Sequence, residues 1–479
     1  MITVLGTAFK AFLDTFGATV LVPIIVFILA LVIRVEAKKA LRAAIYMAIG
    51  LTAFNLILGI LWGELNTVMT LISQNTGKVF DVVDIGWPAG AAIVYNNALG
   101  MMYFIIGLVW NIILFSLKIT DTFEPTDIWN YYYFVVFALF VQFTTGSFAL
   151  GLISALVMNL FLLLLADILG PALQEYYGYD GLTCTCFCTI NIAIGAAILR
   201  WIFIKLKVKT LKLNPENIQS KLGFFGESAM IGLIMGILLG IVAYINVLGS
   251  AQTWAGILTF ALTLAAMLVI YPTVSGMFVK GLIPISQSMN ARMRSGQIKR
   301  KYFLIGIDPA VYFGETATVT TGLLLIPILV LTAVLLPGNR TIPLADIPAM
   351  PFMAIGAIAV FQGDILSATI TGTIWYSICH YLASDCAQLF TTAALNAGQS
   401  LADGATYVIS WCISANPILW VIYKGFAADG VLKFVFIAVI VAVYVLILLH
   451  FKKHRKAWYM FFGASEEFVD NYMGQVVAE

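Results

Sequence analysis

Charge is scarce in this chain. Asp, Glu, Lys and Arg make up 10% of its 479 residues, against about a quarter in a typical soluble domain. A chain this long and this poor in charge cannot clothe a water-facing surface. That excludes a string of soluble domains, an intrinsically disordered chain and a nucleic-acid-binding protein. The net charge of +2 calls for no acidic partner by itself. Histidine is equally rare, and His380, His450 and His454 form no spaced ligand set. The six cysteines fall mostly within apolar segments and read as small packing residues, not as a disulfide framework. Cys184, Cys186 and Cys188 alternate, unlike the C-x-x-C spacing of zinc or thioredoxin-type sites, so neither a metal nor a cofactor is expected. There is no P-loop, dinucleotide fingerprint or catalytic triad, which rules out an ATP-driven pump working through this chain alone. No Pro/Gly-rich linker divides the sequence and no internal repeat stands out. Only Lys10, offset by Asp14, precedes the first apolar run, so no cleavable signal is expected.

Apolar residues fill the space that charge leaves. They account for 61% of the chain, and the mean hydropathy is +0.98. A spanning helix needs about 20 apolar residues. Candidates are Phe16–Ile33, Ala43–Trp62, Ala92–Leu117, Tyr131–Phe148, Ala149–Leu169, Ile190–Ile204, Ser228–Leu248, Thr253–Phe278, Ala317–Leu336, the neighbourhood of Phe352–Phe361, Ile365–Leu382, Val408–Lys424 and Val431–Leu449. The shortest of these are ambiguous, which leaves about ten to twelve spans. Alternating strands of ten residues are absent, so the fold expected is an all-α polytopic membrane protein, a single domain over residues 1–479.

Lysine and arginine cluster at four places: Arg34 to Arg42, Lys205 to Lys221, Lys280 to Lys301, and Lys452 to Lys456. Positive charge collects on the cytoplasmic side. The amino terminus then starts outside and the carboxyl terminus ends inside. Each cluster reads first as a topology determinant and second as a docking surface for a soluble partner. Pro284–Tyr302 sets Ile285, Met289, Met293 and Ile298 against a polar side, as an interfacial amphipathic helix does.

Acids inside hydrocarbon are costly, so they mark candidate sites. Asp308 and Glu315, with Thr316, sit just ahead of an apolar run, and Pro309 and Gly314 between them argue for a broken or re-entrant segment. Both acids suit a polar solute; both also suit helix capping. Asp84 and Trp87 lie in a turn signature, Val82 to Gly90. An aromatic face beside an acceptor suits a polyol or sugar, although an interfacial Trp and an ordinary turn Asp would look the same. Gln142, in the polar stretch Gln142–Ser147, faces a cavity or marks a turn. Glu227 opens a span, and Gln362-Gly363-Asp364 interrupts another.

Five stretches recur in one known family and in its order: V-V-D-I-G-W-P (Val82–Pro88), D-I-W-N (Asp127–Asn130), G-F-F-G-E (Gly223–Glu227), F-L-I-G-I-D-P-A (Phe303–Ala310) and P-G-N (Pro337–Asn339). Through them the chain resembles the membrane component, enzyme IIC, of galactitol-type phosphoenolpyruvate-dependent sugar phosphotransferase systems, from about residue 16 to 450. The resemblance implies uptake of a sugar alcohol across the bacterial cytoplasmic membrane. Cytoplasmic IIA and IIB proteins supply the phosphate, and IIB carries it on a cysteine of its own. It also implies a homodimer, with a substrate-binding core moving against a dimerising scaffold in an elevator mechanism. Asp308 falls in a substrate-site segment of the family and Gln142 near another. Galactitol members carry His-Gly where this chain has Thr183-Cys184-Thr185-Cys186, which brings Cys186 into the candidate set, and Gly-His-Thr where it reads Gly314-Glu315-Thr316. An alternative is an ion-coupled secondary transporter using Asp308 and Glu315. A membrane enzyme has little to support it, for want of a nucleophile, a metal set or a placed base.

Overall fold

The computed structural model describes residues 15, 18–32, 34–76, 80–124, 127–208, 213–214, 223–294, 302–399 and 406–477. Lys10, Asp14, Phe16 and Ile33 lie outside these, as do residues 209–212 and 215–221 of the second basic cluster and 295–301 of the third.

Helices dominate. Among the described residues six are long and apolar enough to cross a bilayer: Ala98–Ser116, Phe148–Tyr177, Phe187–Lys205, Ala251–Ile270, Thr316–Leu335 and Leu432–Lys453. Ile347–Val360 and Ile365–Asn396, bent by 120° at their junction, make a seventh if they are one broken span. Ser228–Ala243 is a shorter apolar helix. The all-α membrane fold with broken segments is therefore present, with six or seven full-length spans. Ala43–Trp62 lies within one unbroken helix, Ala37–Thr76, whereas several of the other runs expected to cross are shorter or interrupted. Val408–Lys424 divides into a strand Tyr407–Ile409, a turn of helix Trp411–Ser414 and a helix Pro417–Phe426. Ala92–Leu117 breaks at Asn97, whose backbone is extended. Pro284 to Arg294 continues the long helix that begins at Ala251. Leu432–Lys453 exposes Phe434, Val439 and Leu446, the outward apolar face expected against lipid.

Local chemistry explains the breaks. Gly146 takes a left-handed φ of 67° and ends the helix Tyr132–Thr145. Ser147 then caps Phe148–Tyr177 by accepting the Leu150 N–H at 3.3 Å. In the other bent pair Gln362 and Gly363 take φ of 49° and 85°, which the Q-G-D interruption anticipates.

Between the helices, among the described residues, lie five very short strands: β1 (Val82–Asp84), β2 (Thr122–Phe123), β3 (Leu182–Cys184), β4 (Leu304–Ile307) and β5 (Tyr407–Ile409). β4 is flanked by β2 and β3, both parallel to it. β1 pairs in parallel with β5, and a parallel bridge joins Val82 to Thr341. The ladders satisfy backbone groups that would otherwise be stranded in an apolar interior.

An internal repeat, not singled out in the sequence, emerges here. The first half supplies strands at 82, 122 and 182; the second supplies strands or bridges at 304, 341 and 407. Each is followed within a few residues by a short helix or 3-10 turn. The halves exchange strands. The first strand of the first half pairs with the second and third of the second half, and the reverse holds for the other sheet. Matching residues confirm the relation: Thr122 precedes Asp127-Ile128 as Thr341 precedes Asp346-Ile347, and Thr185 precedes Asn191 as Ser410 precedes Asn416.

Candidate substrate site

The exchanged strands bring acids together in pairs, one from each half. Asp308 ends β4 and turns the chain into the short helix Ala310–Phe313, accepting the Ala310 N–H at 2.8 Å. Its other oxygen accepts from the Asn130 amide at 2.9 Å. The same amide donates to Asp127 at 2.6 Å. The remaining Asp127 oxygen accepts from the Thr185 hydroxyl at 2.7 Å. Asp127, Asn130 and Thr185 are buried, whereas Asp308 is half-buried. Gly306 lets β4 approach Thr185: a Cβ there would stand 2.5 Å from Thr185 Cγ2.

The second pair is Asp84 and Asp346. Asp84 accepts the backbone N–H groups of Gly86, Trp411 and Asp346 at 3.1, 3.1 and 2.8 Å. Asp346 accepts those of Trp87 and Cys412 at 2.6 and 2.9 Å, and the Ser410 hydroxyl at 2.8 Å. Both acids are buried. Five of these six bonds come from backbone, so this pair is consumed in holding the strand–helix turns. In the first pair only one of four does. No Lys, Arg or His forms an ion pair with any of the four acids among the described residues. Asp81 and Arg340, just ahead of the second cluster, do pair, and that bond holds the Asp81 carboxyl below the usual carboxylate range.

The other expected residues divide. Trp87 stacks on Tyr132 at 6.3 Å with an interplanar angle of 12°. Cys186 lies 3.3 Å from Cys188, sulfur to sulfur. Both belong to elements around the two acid pairs. Glu315 instead caps the helix Thr316–Leu335, accepting the Ala317 and Thr318 N–H groups and the Thr318 hydroxyl, all at 2.8 Å. Thr316 meets Ser228 at 3.1 Å, hydroxyl to hydroxyl. Glu227 is exposed at the N-cap position of Ser228–Ala243. Gln142 lies within Tyr132–Thr145, with its buried Oε1 unpaired.

A family model described as PTS system sugar-specific permease component, EIIC-GAT, matches residues 11–404. The chain belongs to the EIIC-GAT family. It is 27% identical over 425 residues to the galactitol-specific EIIC component of the PTS system of Escherichia coli (strain K12), covering 88% of this chain and 92% of that one. It is 28% identical over 405 residues to a putative permease IIC component of the same strain, covering 84% and 90%. The expected family is thereby established, and with it a multi-pass membrane permease component of the phosphotransferase type.

Sequence reasoning did not single out Asp127 and Asp346, two of the four members of this EIIC-GAT chain's acid pairs, nor the bridging Asn130, as candidate residues. Thr185 and Ser410 were missed too. The signal was available in the doubled T-x-x-x-x-D-I at Thr122 and Thr341, but its meaning rests on strand pairing between the halves.

Proposed function

We propose that this permease takes up a sugar alcohol of the galactitol class and holds it at the Asp127–Asn130–Asp308 cluster for phosphorylation by IIA and IIB partners. The observation that carries this reading is the contrast between the acid pairs. The Asp84 and Asp346 carboxylates are filled mostly by the chain's own backbone, while Asp127 and Asp308 keep acceptor capacity and Asp308 is only half-buried. A polyol presents hydroxyl donors to such oxygens and C–H faces to an aromatic ring such as Trp87. Asp84 and Cys186 flank the guest, and Glu315, Thr316, Gln142 and Glu227 serve the helices that support it. The chain supplies position: it holds a hydroxyl within reach of the phosphorylated cysteine of IIB, so that the hydroxyl oxygen attacks phosphorus as its proton leaves, and the P–S bond breaks to release the IIB thiolate. The acid pairs belong to a moving core, carried past a scaffold that dimerises. Basic segments, the carboxyl-terminal one included, face the cytoplasm and receive IIB.

The test is galactitol uptake in membrane vesicles, with and without IIA, IIB and phosphoenolpyruvate. Galactitol phosphate is expected to accumulate only when all are present. Undiminished accumulation of free galactitol on a proton or sodium gradient would reject the coupling. That result would favour an ion-coupled transporter, a reading motivated by acids that no cation pairs among the described residues.

A further inference from the structure

A third acid lies three residues before Asp127. Glu124 follows β2 and is fully buried. Asn111, from the span Ala98–Ser116, accepts its backbone N–H at 3.0 Å. Asn159, from the span Phe148–Tyr177, donates its amide N–H to Glu124 Oε2, also at 3.0 Å. Tyr131 stands beside the carboxyl, and Tyr103 packs edge-on against Tyr131 with ring centroids 5.4 Å apart. No Lys, Arg or His pairs with Glu124 among the described residues.

Three oxygens here are buried without a hydrogen-bond partner: Glu124 Oε1, Asn159 Oδ1 and the Tyr131 hydroxyl. The residues of the first two are already joined through the other atom of each group. Those two oxygens are both acceptors when the acid is ionised, so neither can satisfy the other. An ionised Glu124 would also be an uncompensated buried anion, among the costliest groups a protein interior can hold. One added hydrogen removes both problems, because a protonated carboxyl is an O–H donor.

We propose that Glu124 is a proton-holding site, carrying its proton at neutral pH and returning it to Asn159 so that acid and amide close a ring of two hydrogen bonds. The site belongs to one half only. Aligning Thr122 with Thr341 puts Pro343 at the place of Glu124 and Met350 at that of Tyr131. It therefore backs the open acid pair and not the closed one. A neutral Glu124 adds hydrogen-bonding rigidity behind Asp127 without adding a third negative charge beside a site for an uncharged guest.

The test is infrared spectroscopy of the purified full-length protein at neutral pH, in H2O and D2O. The wild-type minus Glu124→Gln difference spectrum is expected to contain a protonated-carboxyl carbonyl band that shifts in D2O. A difference containing only carboxylate bands overturns the proposal. Asn159→Leu removes the amide, and the band should move towards the frequency of an acid without that hydrogen bond. An unmoved band overturns the pairing. If Glu124→Gln does not fold, the wild-type and Asn159→Leu spectra decide alone: the band and its displacement support the site, and absence of either rejects it.

Discussion

Thr185 stands to Asp127 as Ser410 stands to Asp346. The hydroxyl of each donates to the aspartate of a partner element, at 2.7 Å and 2.8 Å, and each lies just beyond the third strand of its half. The likeness ends at the second acid. Asp346 also gives an N–H to Asp84 at 2.8 Å. Among the described residues Asp127 is linked to Asp308 by hydrogen bonds through the Asn130 side chain. One pair is bound together by backbone and the other by a removable amide, so one is built to stay closed.

The acid pairs should respond differently to neutralisation. Asp127→Asn and Asp308→Asn should each weaken galactitol binding by about 1–3 kcal/mol, the scale of a hydrogen bond to a charged group, while thermal unfolding shifts little. Asp346→Asn should do the opposite. Its carboxylate takes two backbone N–H groups and a hydroxyl, and an imperfect replacement leaves buried donors stranded at about 1–3 kcal/mol each. Calorimetric binding and thermal unfolding on the same purified variants separate the two effects. Unaltered affinity in Asp308→Asn would make that acid structural.

Much of this is legible in the residues alone. Composition dictates the membrane, and the Q-G-D interruption and the Gly146 turn come from residues whose backbone preferences are strong and local. Asp308 announces itself because an acid beside a proline in an apolar context has few explanations. Asp127 and Asn130 do not, although they stand in plain sight in D-I-W-N. Their partner Asp308 is 178 residues beyond Asn130, and strands of two to four residues leave no alternating pattern to read. Glu315 was legible as an acid at a helix start, and the capping geometry is local chemistry that sequence could have favoured.

Gly306 is a steric gate on the site. A methyl group at this position would stand 2.5 Å from Thr185 Cγ2 and 2.8 Å from its hydroxyl oxygen. Contacts that short force one of the two to move. Gly306→Ala should therefore displace the Thr185 hydroxyl from Asp127 and weaken galactitol binding, with a stability loss of about 1–3 kcal/mol typical of overpacking. Partial recovery of affinity in Gly306→Ala/Thr185→Ser, which removes the nearer of the two contacts, would locate the effect there. Equal affinity in wild type and Gly306→Ala would refute it.

Glu315 tests capping against binding. Its carboxylate satisfies two backbone N–H groups at the start of Thr316–Leu335. Loss of such a cap costs about 0.5–2 kcal/mol, so Glu315→Ala should lower the unfolding temperature. Glu315→Asp, a strong cap with a shorter reach, should recover part of it. Uptake by Glu315→Gln should keep the pH dependence of wild type, because the acid is engaged in holding a helix. Loss of that dependence would instead support a proton relay through Glu315.

The paired hydroxyls give the sharpest comparison, since chemistry and burial are nearly matched and only the role differs. Thr185 and Ser410 are both buried and each makes one side-chain bond to an aspartate. Removing either bond costs about 0.5–1.5 kcal/mol in stability on general grounds. Thr185→Ala should add to this a loss of galactitol affinity, because Asp127 is then held from one side only and the open pair loses its preorganisation. Ser410→Ala should leave affinity within error of wild type, because Asp346 keeps two backbone donors and stays where it was. If both variants lose affinity equally, the two halves contribute alike and the guest is shared between the acid pairs. If neither does, the open pair is not where the guest binds.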